Sequence, residues 1–146
     1  MASQAGVTPE QQYEIKGIDA AFQAGEALTG HQFKALYLSS EGNVKKMTQS
    51  ANTEHFIGFC QSGDVDSSVT VALGAHVSVR ISGITRAVAG AAITVGDFVM
   101  NGDAYGRVIT ATDNNQVIGI ALEAASAINH IITVLIIRCP IKGDNT

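Results

Sequence analysis

Four histidines, two cysteines and thirteen carboxylates are the residues of this 146-residue chain best suited to chemistry. A nucleophilic centre needs Ser or Cys beside a base that a carboxylate orients. No Gly-x-Ser-x-Gly occurs, and Cys60 and Cys139 stand outside any redox or papain-like pattern. His31, His55, His76 and His130 lack the i, i+2 or i, i+4 spacing of a pre-formed metal site, so each reads as a surface or strand-end residue. Asp64-Val65-Asp66-Ser67 sets two carboxylates on one stretch, as a hard cation requires, but the central Gly and terminal Glu of a calcium loop are missing. It reads as a solvated loop in which Asp and Ser bond the backbone. Gly102-Asp103-Ala104-Tyr105-Gly106 has two glycines but no following Lys-Ser/Thr, so a hairpin tip is expected there rather than a phosphate cradle. No catalytic residue, metal ligand or cofactor site is assigned.

Charge and hydropathy narrow the partners. The net charge is −4, and Lys45-Lys46 is the one adjacent basic pair, whereas a nucleic-acid footprint needs clustered Lys and Arg. Phe22, Phe33, Phe56, Phe59 and Phe98 are therefore expected in the core rather than on a base-stacking platform. The longest apolar run, Ile131 to Ile137, is broken by Thr133 and falls well short of the roughly 18 residues of a membrane helix. The first residues lack the basic and apolar regions of a signal peptide, so a soluble protein made in the cytoplasm, with its two thiols reduced and buried, is expected. Charged residues make up 15% of the chain, below the roughly 25% of ordinary soluble domains, which suggests surface set aside for contact with other protein.

Short apolar stretches separated by turn residues begin near Ala24, at the spacing of a sandwich or barrel. Strands are expected over 32–38, 56–61, 68–73, 76–81, 97–101, 107–112, 117–122 and 131–138. In His76-Val77-Ser78-Val79-Arg80-Ile81 every second residue is apolar, which puts Val77, Val79 and Ile81 on one face. The one helix candidate, Leu122 to Ile128, is short enough to be a loop with a single turn. Residues 1–20 read as an extended N-terminal arm, and 21–146 as one β domain.

That domain shows self-similarity. Ala24-Gly25-Glu26-Ala27-Leu28-Thr29 followed by Phe33 matches Ala89-Gly90-Ala91-Ala92-Ile93-Thr94 followed by Phe98. Gly42-Asn43-Val44 then matches Gly106-Arg107-Val108, and Phe56-Ile57-Gly58-Phe59 matches Val117-Ile118-Gly119-Ile120. Val69-Thr70-Val71 matches Ile132-Thr133-Val134, and Ile81-Ser82-Gly83 matches Ile141-Lys142-Gly143. Two similar halves, about 24–83 and 89–143, are expected to share one β core, because a mostly β unit of about 60 residues has a thin core of its own.

Ala92-Ile93-Thr94-Val95-Gly96-Asp97-Phe98-Val99, with Tyr105-Gly106-Arg107-Val108, Val117 to Ala125 and Ile132-Thr133-Val134-Leu135-Ile136, resembles the small head decoration or cement proteins of tailed bacteriophages. The resemblance is strong over about 55 residues and reaches the first half through the internal match, where Lys34 stands against Val99 in place of an apolar residue. It implies an all-β fold, a compact β-sandwich or barrel, and a structural, non-enzymatic virion protein without cofactor or metal. It further implies homotrimers on the capsid exterior that bind the major capsid protein and stabilise contacts between its subunits, with no nucleic-acid or membrane partner. The arm, which could order on binding, supplies the candidate capsid contacts Val7, Thr8, Pro9, Gln12, Tyr13 and Ile15. The alternative reading is a head-displayed β-domain that binds host-surface glycans. It is disfavoured by the absence of Trp and by having only Tyr13, Tyr37 and Tyr105 as tyrosines. A lipoyl-like carrier would need a Lys at a hairpin tip, and Gly42-Asn43 and Asp103-Ala104 offer none.

Overall fold

The structure, a computed structural model, describes residues 13–48, 54–66, 68–112 and 115–139. Among them there are strands and turns but no helix. The strands are β1 (Gly17–Gln23), β2 (Leu28–Thr29), β3 (Ala35–Leu38), β4 (Val44–Lys46), β5 (His55–Cys60), β6 (Thr70–Val71), β7 (His76–Val88), β8 (Phe98–Asn101), β9 (Val108–Thr110), β10 (Val117–Ala121) and β11 (Ile131–Cys139). Nine form one antiparallel sheet in the order β4-β3-β5-β7-β11-β10-β8-β9, with β1 also on β7, and the sheet curls into a half-barrel. β2 and β6 form a separate two-stranded ribbon. The all-β expectation holds. The helix candidate Leu122–Ile128 does not form, because its middle is held as sheet: Ala125 and Ile93 exchange two backbone bonds of 2.9 Å.

β7 is twice as long as the alternation over 76–81 suggests, and it serves both ends of the chain. Its first stretch pairs with β1 (Phe22 with Val77, Ala20 with Val79), and its second with β11 (Ala87 with Ile132, Thr85 with Val134). Of the residues expected in the arm, Gly17 to Ala20 lie in β1, and Ile84 N–H donates to the Lys16 carbonyl at 2.9 Å.

Corresponding bonds recur on the two sides of β7. Gly25 N–H donates to Val44 O, and Gly90 N–H to Val108 O, both at 2.7 Å. Leu28 pairs with Val71 as Ile93 does with Ala125, and Leu36 lies opposite Gly58 as Val99 does opposite Gly119. Phe33 and Gly96 both have positive φ (64° and 92°), and their N–H groups donate to Cys60 O at 2.7 Å and Ala121 O at 2.8 Å. These pairings alter two of the sequence matches. Leu36, fully buried, takes the place that Val99 fills, so Lys34 falls on the preceding turn and replaces no core residue. Likewise Val77-Ser78-Val79, not Val69-Thr70-Val71, stands where Ile132-Thr133-Val134 stands. Residues 141–143 lie outside the described residues.

The matched stretches build two large apolar clusters of unequal make-up, beside a small third one of Met100, Ala111 and Val117. In the first, Leu28, Leu36, Val44, Cys60, Val77 and Val79 are buried together. The second holds their counterparts Ile93, Val99, Val108, Ala121, Ile132 and Val134, and also takes in Ala35, Phe56 and Phe59 from the other face of β3 and β5, with Met47 just past β4. Phe56 and Phe59 meet edge to face, with centroids 5.3 Å apart. The outward face of the first half thus completes the core of the second. Gly106 lies at this junction: a Cβ there would stand 2.9 Å from Ala35 N and O, whereas at its counterpart Gly42 nothing lies within 4 Å. Both residues have positive φ, 75° and 84°. Gly42→Ala should therefore cost about 1 to 2 kcal/mol of backbone strain, while Gly106→Ala should cost at least about 1 kcal/mol more because its neighbours are backbone atoms. Urea unfolding of both variants, with equal losses counting against a tight junction, checks this.

Candidate interaction surfaces

Of the arm residues proposed to contact a capsid, Val7, Thr8, Pro9 and Gln12 lie outside the described residues. Tyr13 is half-buried, and its hydroxyl hydrogen-bonds the Thr133 hydroxyl on β11, which in turn donates to Glu123 Oε1 at 3.1 Å. Ile15, 39% exposed, presents an apolar side chain to solvent just before β1. The described start of the arm is therefore held on the second half of the chain.

The polar groups singled out in the sequence serve the scaffold. Asp64 and Asp66 both accept from the Ser68 hydroxyl, and Asp66 Oδ1 also accepts from Ser68 N–H at 3.1 Å; these bonds hold the exposed Asp66 carboxyl below the usual carboxylate range. Among the described residues no three His, Cys, Asp or Glu side chains gather as a metal site would require. At the β8–β9 tip, Asp103 accepts from Tyr105 N–H (2.8 Å), Arg107 N–H (3.3 Å) and Arg107 Nε (2.7 Å). Tyr105 is exposed there, and the Arg107 guanidinium lies 5.1 Å from its ring centroid. Lys34 Nζ donates to Gly30 O at 2.6 Å, and burial followed by the nearby Arg107 lowers its pKa.

Two functional-looking groups turn out to be internal. Cys60 is buried, and burial pushes its thiol up to about 11; the side chain of Cys139 lies outside the description. His31 is no surface residue. It is buried and donates from Nε2 to Ala35 O at 2.9 Å, and burial brings its pKa down to about 4. Sequence spacing could not reveal this, because His31 falls where the two halves differ in length.

Arg138, near the end of β11, was not singled out in the sequence. Its guanidinium reaches three carbonyls of the first half: Phe56 O at 3.1 Å, Ile57 O at 2.7 Å and Ile81 O. It also covers the Phe56 ring at 5.3 Å. Gln116 performs a similar task, accepting from Phe56 N–H at 3.0 Å and donating to Glu54 O at 2.6 Å. A depression of about 620 Å³ beside β3 is lined by Tyr37, Leu38, Ser39, Ser40, Glu41, Lys45 and His55, and the Ser39 hydroxyl in it donates to Asn43 Oδ1.

The surface of the antiparallel body carries scattered charges and exposed apolar side chains such as Val95, Phe98 and Ile131. The sequence profile of phage cement proteins matches residues 61–136, just over half of the chain, and the chain belongs to that family. Membership gives it a structural role associated with the phage capsid. Among solved structures, the N base of the head fiber gp8.5 of bacteriophage phi29 is similar in fold, with a TM-score of 0.54 at 18% identity, covering 88% of this chain and 98% of that one. No curated protein matches the chain.

The buried His31 makes stability depend on pH. The unfolded chain takes up a proton at this residue near pH 6.5, but the native chain does so only near pH 4. Acidification between these values therefore favours the unfolded state, and from pH 7.5 to 4.5 the loss due to His31 should be roughly 2 to 3 kcal/mol. Urea titrations at both pH values should show that loss in the native protein and a smaller one in His31→Gln. Identical losses would mean that His31 does not titrate from a buried site.

Proposed function

We propose that the chain binds the outside of a phage capsid as a homotrimer and stabilises contacts between major capsid subunits, reaching the virion exterior from the host cytoplasm. Membership of the cement family carries this reading, and the exposed apolar side chains of the β body support it. A protein that binds only the assembled shell stabilises that shell by mass action, and many copies add without any chemistry.

The arm ahead of β1 is the proposed capsid contact, through Val7, Thr8, Pro9, Gln12, Tyr13 and Ile15. An extended segment can cover a large area as it orders on a partner, and Tyr13 would set where it leaves the β body. Domain organisation follows from this, with an arm over residues 1–20 whose last four residues join the sheet as the start of β1, and the β body, its two halves derived from one unit, over 21–146.

Removal of residues 1–12 should weaken occupancy of expanded empty shells at least about tenfold, as a loss of roughly 1.4 kcal/mol or more. The circular dichroism and thermal midpoint of the β body should change little. Co-sedimentation with the shells of the phage that carries the gene measures occupancy directly. Unchanged binding of the shortened protein would refute the arm as contact, and failure of the full chain to bind would refute the capsid role.

A further inference from the structure

The internal junction joins unlike surfaces. The first half gives the outward face of β3 and β5, with Ala35, Met47, Phe56 and Phe59, and the second half receives it on the open side of its core. Two backbone bonds seal the contact: Ala35 N–H donates to Gly106 O at 2.9 Å, and Val88 N–H to Phe33 O at 3.1 Å. The strand pairings identify the counterpart of each participant. Ala35 lies opposite Phe59 as Phe98 lies opposite Ile120, so the counterpart of Ala35 is Phe98. On the receiving side Gly106, Ala87 and Ile118 correspond to Gly42, Phe22 and Ile57.

A two-fold relation between the halves would set Phe98 against Gly42 within the same chain and bury both contacts alike. The structure shows the opposite. Ala35 is 0% exposed and Phe98 47%. Ala87 and Ile118 are fully buried, while Phe22 and Ile57 are only half-buried. Gly106 is packed against Ala35 and the His31 ring, while Gly42 faces open space. The junction is therefore directional and is used once per chain. On the second half the counterparts of Met47 and Phe56, Ala111 and Val117, are buried with Met100 in a cluster of their own, so the giving face left open there is the edge formed by Phe98 and the half-buried Ile120, and the receiving face left open on the first half is that around Gly42.

We propose that a second copy of this chain fills the vacancy, so that copies join head to tail by repeating their own internal junction: the face around Phe98 of one copy seats on Gly42, Phe22 and Ile57 of the next. The side chains suit this arrangement. His31 fills the space beside Gly106, and the second half lacks its counterpart, because the offset between matched positions drops from 65 (Leu28 to Ile93) to 63 (Phe33 to Gly96) just there. Phe98, larger than Ala35, is the side chain placed to fill the corresponding space beside the open Gly42. Such a heterologous contact forms a ring when its rotation closes and a fibre when it does not. The inference rests on the self-associating part of the proposed function and names the surfaces that part would use.

Light scattering of the full chain and two variants tests it. Phe98→Arg spoils the giving face, and Gly42→Asp, at an exposed turn where Asp tolerates positive φ, spoils the receiving face. Circular dichroism verifies that both fold. The native chain should be larger than a monomer, and each variant should dissociate at least about 100-fold more readily, the size of an anchor residue's effect. Mixing the variants leaves one intact junction per pair and should give a 1:1 heterodimer and nothing larger. A monomeric native chain would overturn both self-association and this junction. Variants that stay assembled, or a mixture that stays monomeric, would overturn the junction alone.

Discussion

The structure depends on a constraint set by β7, whose thirteen residues belong to both halves at once. Its register with β1 decides which side chains of the first half face inward, and the same strand carries that choice into its pairing with β11. Because side chains alternate across a strand, a one-residue slip anywhere along β7 would turn Val77 and Val79 outward on one side, or Ala87 and Thr85 on the other. Neither half can adjust alone. The first cluster and the second are thus built against a common ruler, and the transfer of Phe56 and Phe59 into the second core ties the two further.

The polar residues that look available for chemistry mostly stabilise this arrangement. Arg138 and Gln116 lie in the second half and bond backbone groups of β5 and its approach, so they bridge the seam where the ladder itself supplies few bonds. Bonds from a charged guanidinium to carbonyls stabilise more than an exposed ion pair does. Asp64, Asp66 and Asp103 shape turns by accepting from nearby N–H and hydroxyl groups. A chain with 15% charged residues has few to spare, and here many of them organise loops.

Much of the β architecture could be read from the sequence wherever alternation was long and apolar, as in Val77-Ser78-Val79 and Ile131 to Ile137. β2 and β6 could not be bounded, since two-residue strands have no period. β1 was hidden because its sequence, Gly-Ile-Asp-Ala-Ala-Phe-Gln, is small and polar: it lies at the sheet's periphery and leaves Ile18 62% exposed. The equation of Lys34 with Val99 came from anchoring on the two phenylalanines. Phe33 occupies a positive-φ turn where the other half uses Gly96, and the shared residue type masked a shift of two positions. Arg138 carried no local signal, because its three acceptors are backbone groups about 60 to 80 residues away. The apolar surface was legible only as a deficit of charge; its location required the fold.

For a cement protein, the informative positions are those at which matched backbones have unmatched surroundings. Ala35 and Phe98 occupy corresponding places beside a neighbouring strand, yet one is sealed and the other open. Selection for folding alone would favour a small or polar side chain at an exposed strand position, since an exposed Phe invites unwanted association. A large ring is instead left exposed here, and in the proposed junction it would meet the open Gly42 turn of the next copy. The sequence difference between the halves therefore follows the difference in their neighbours: where the chain itself supplies the partner, Ala and Gly let two backbones touch, and where it does not, Phe reaches outward.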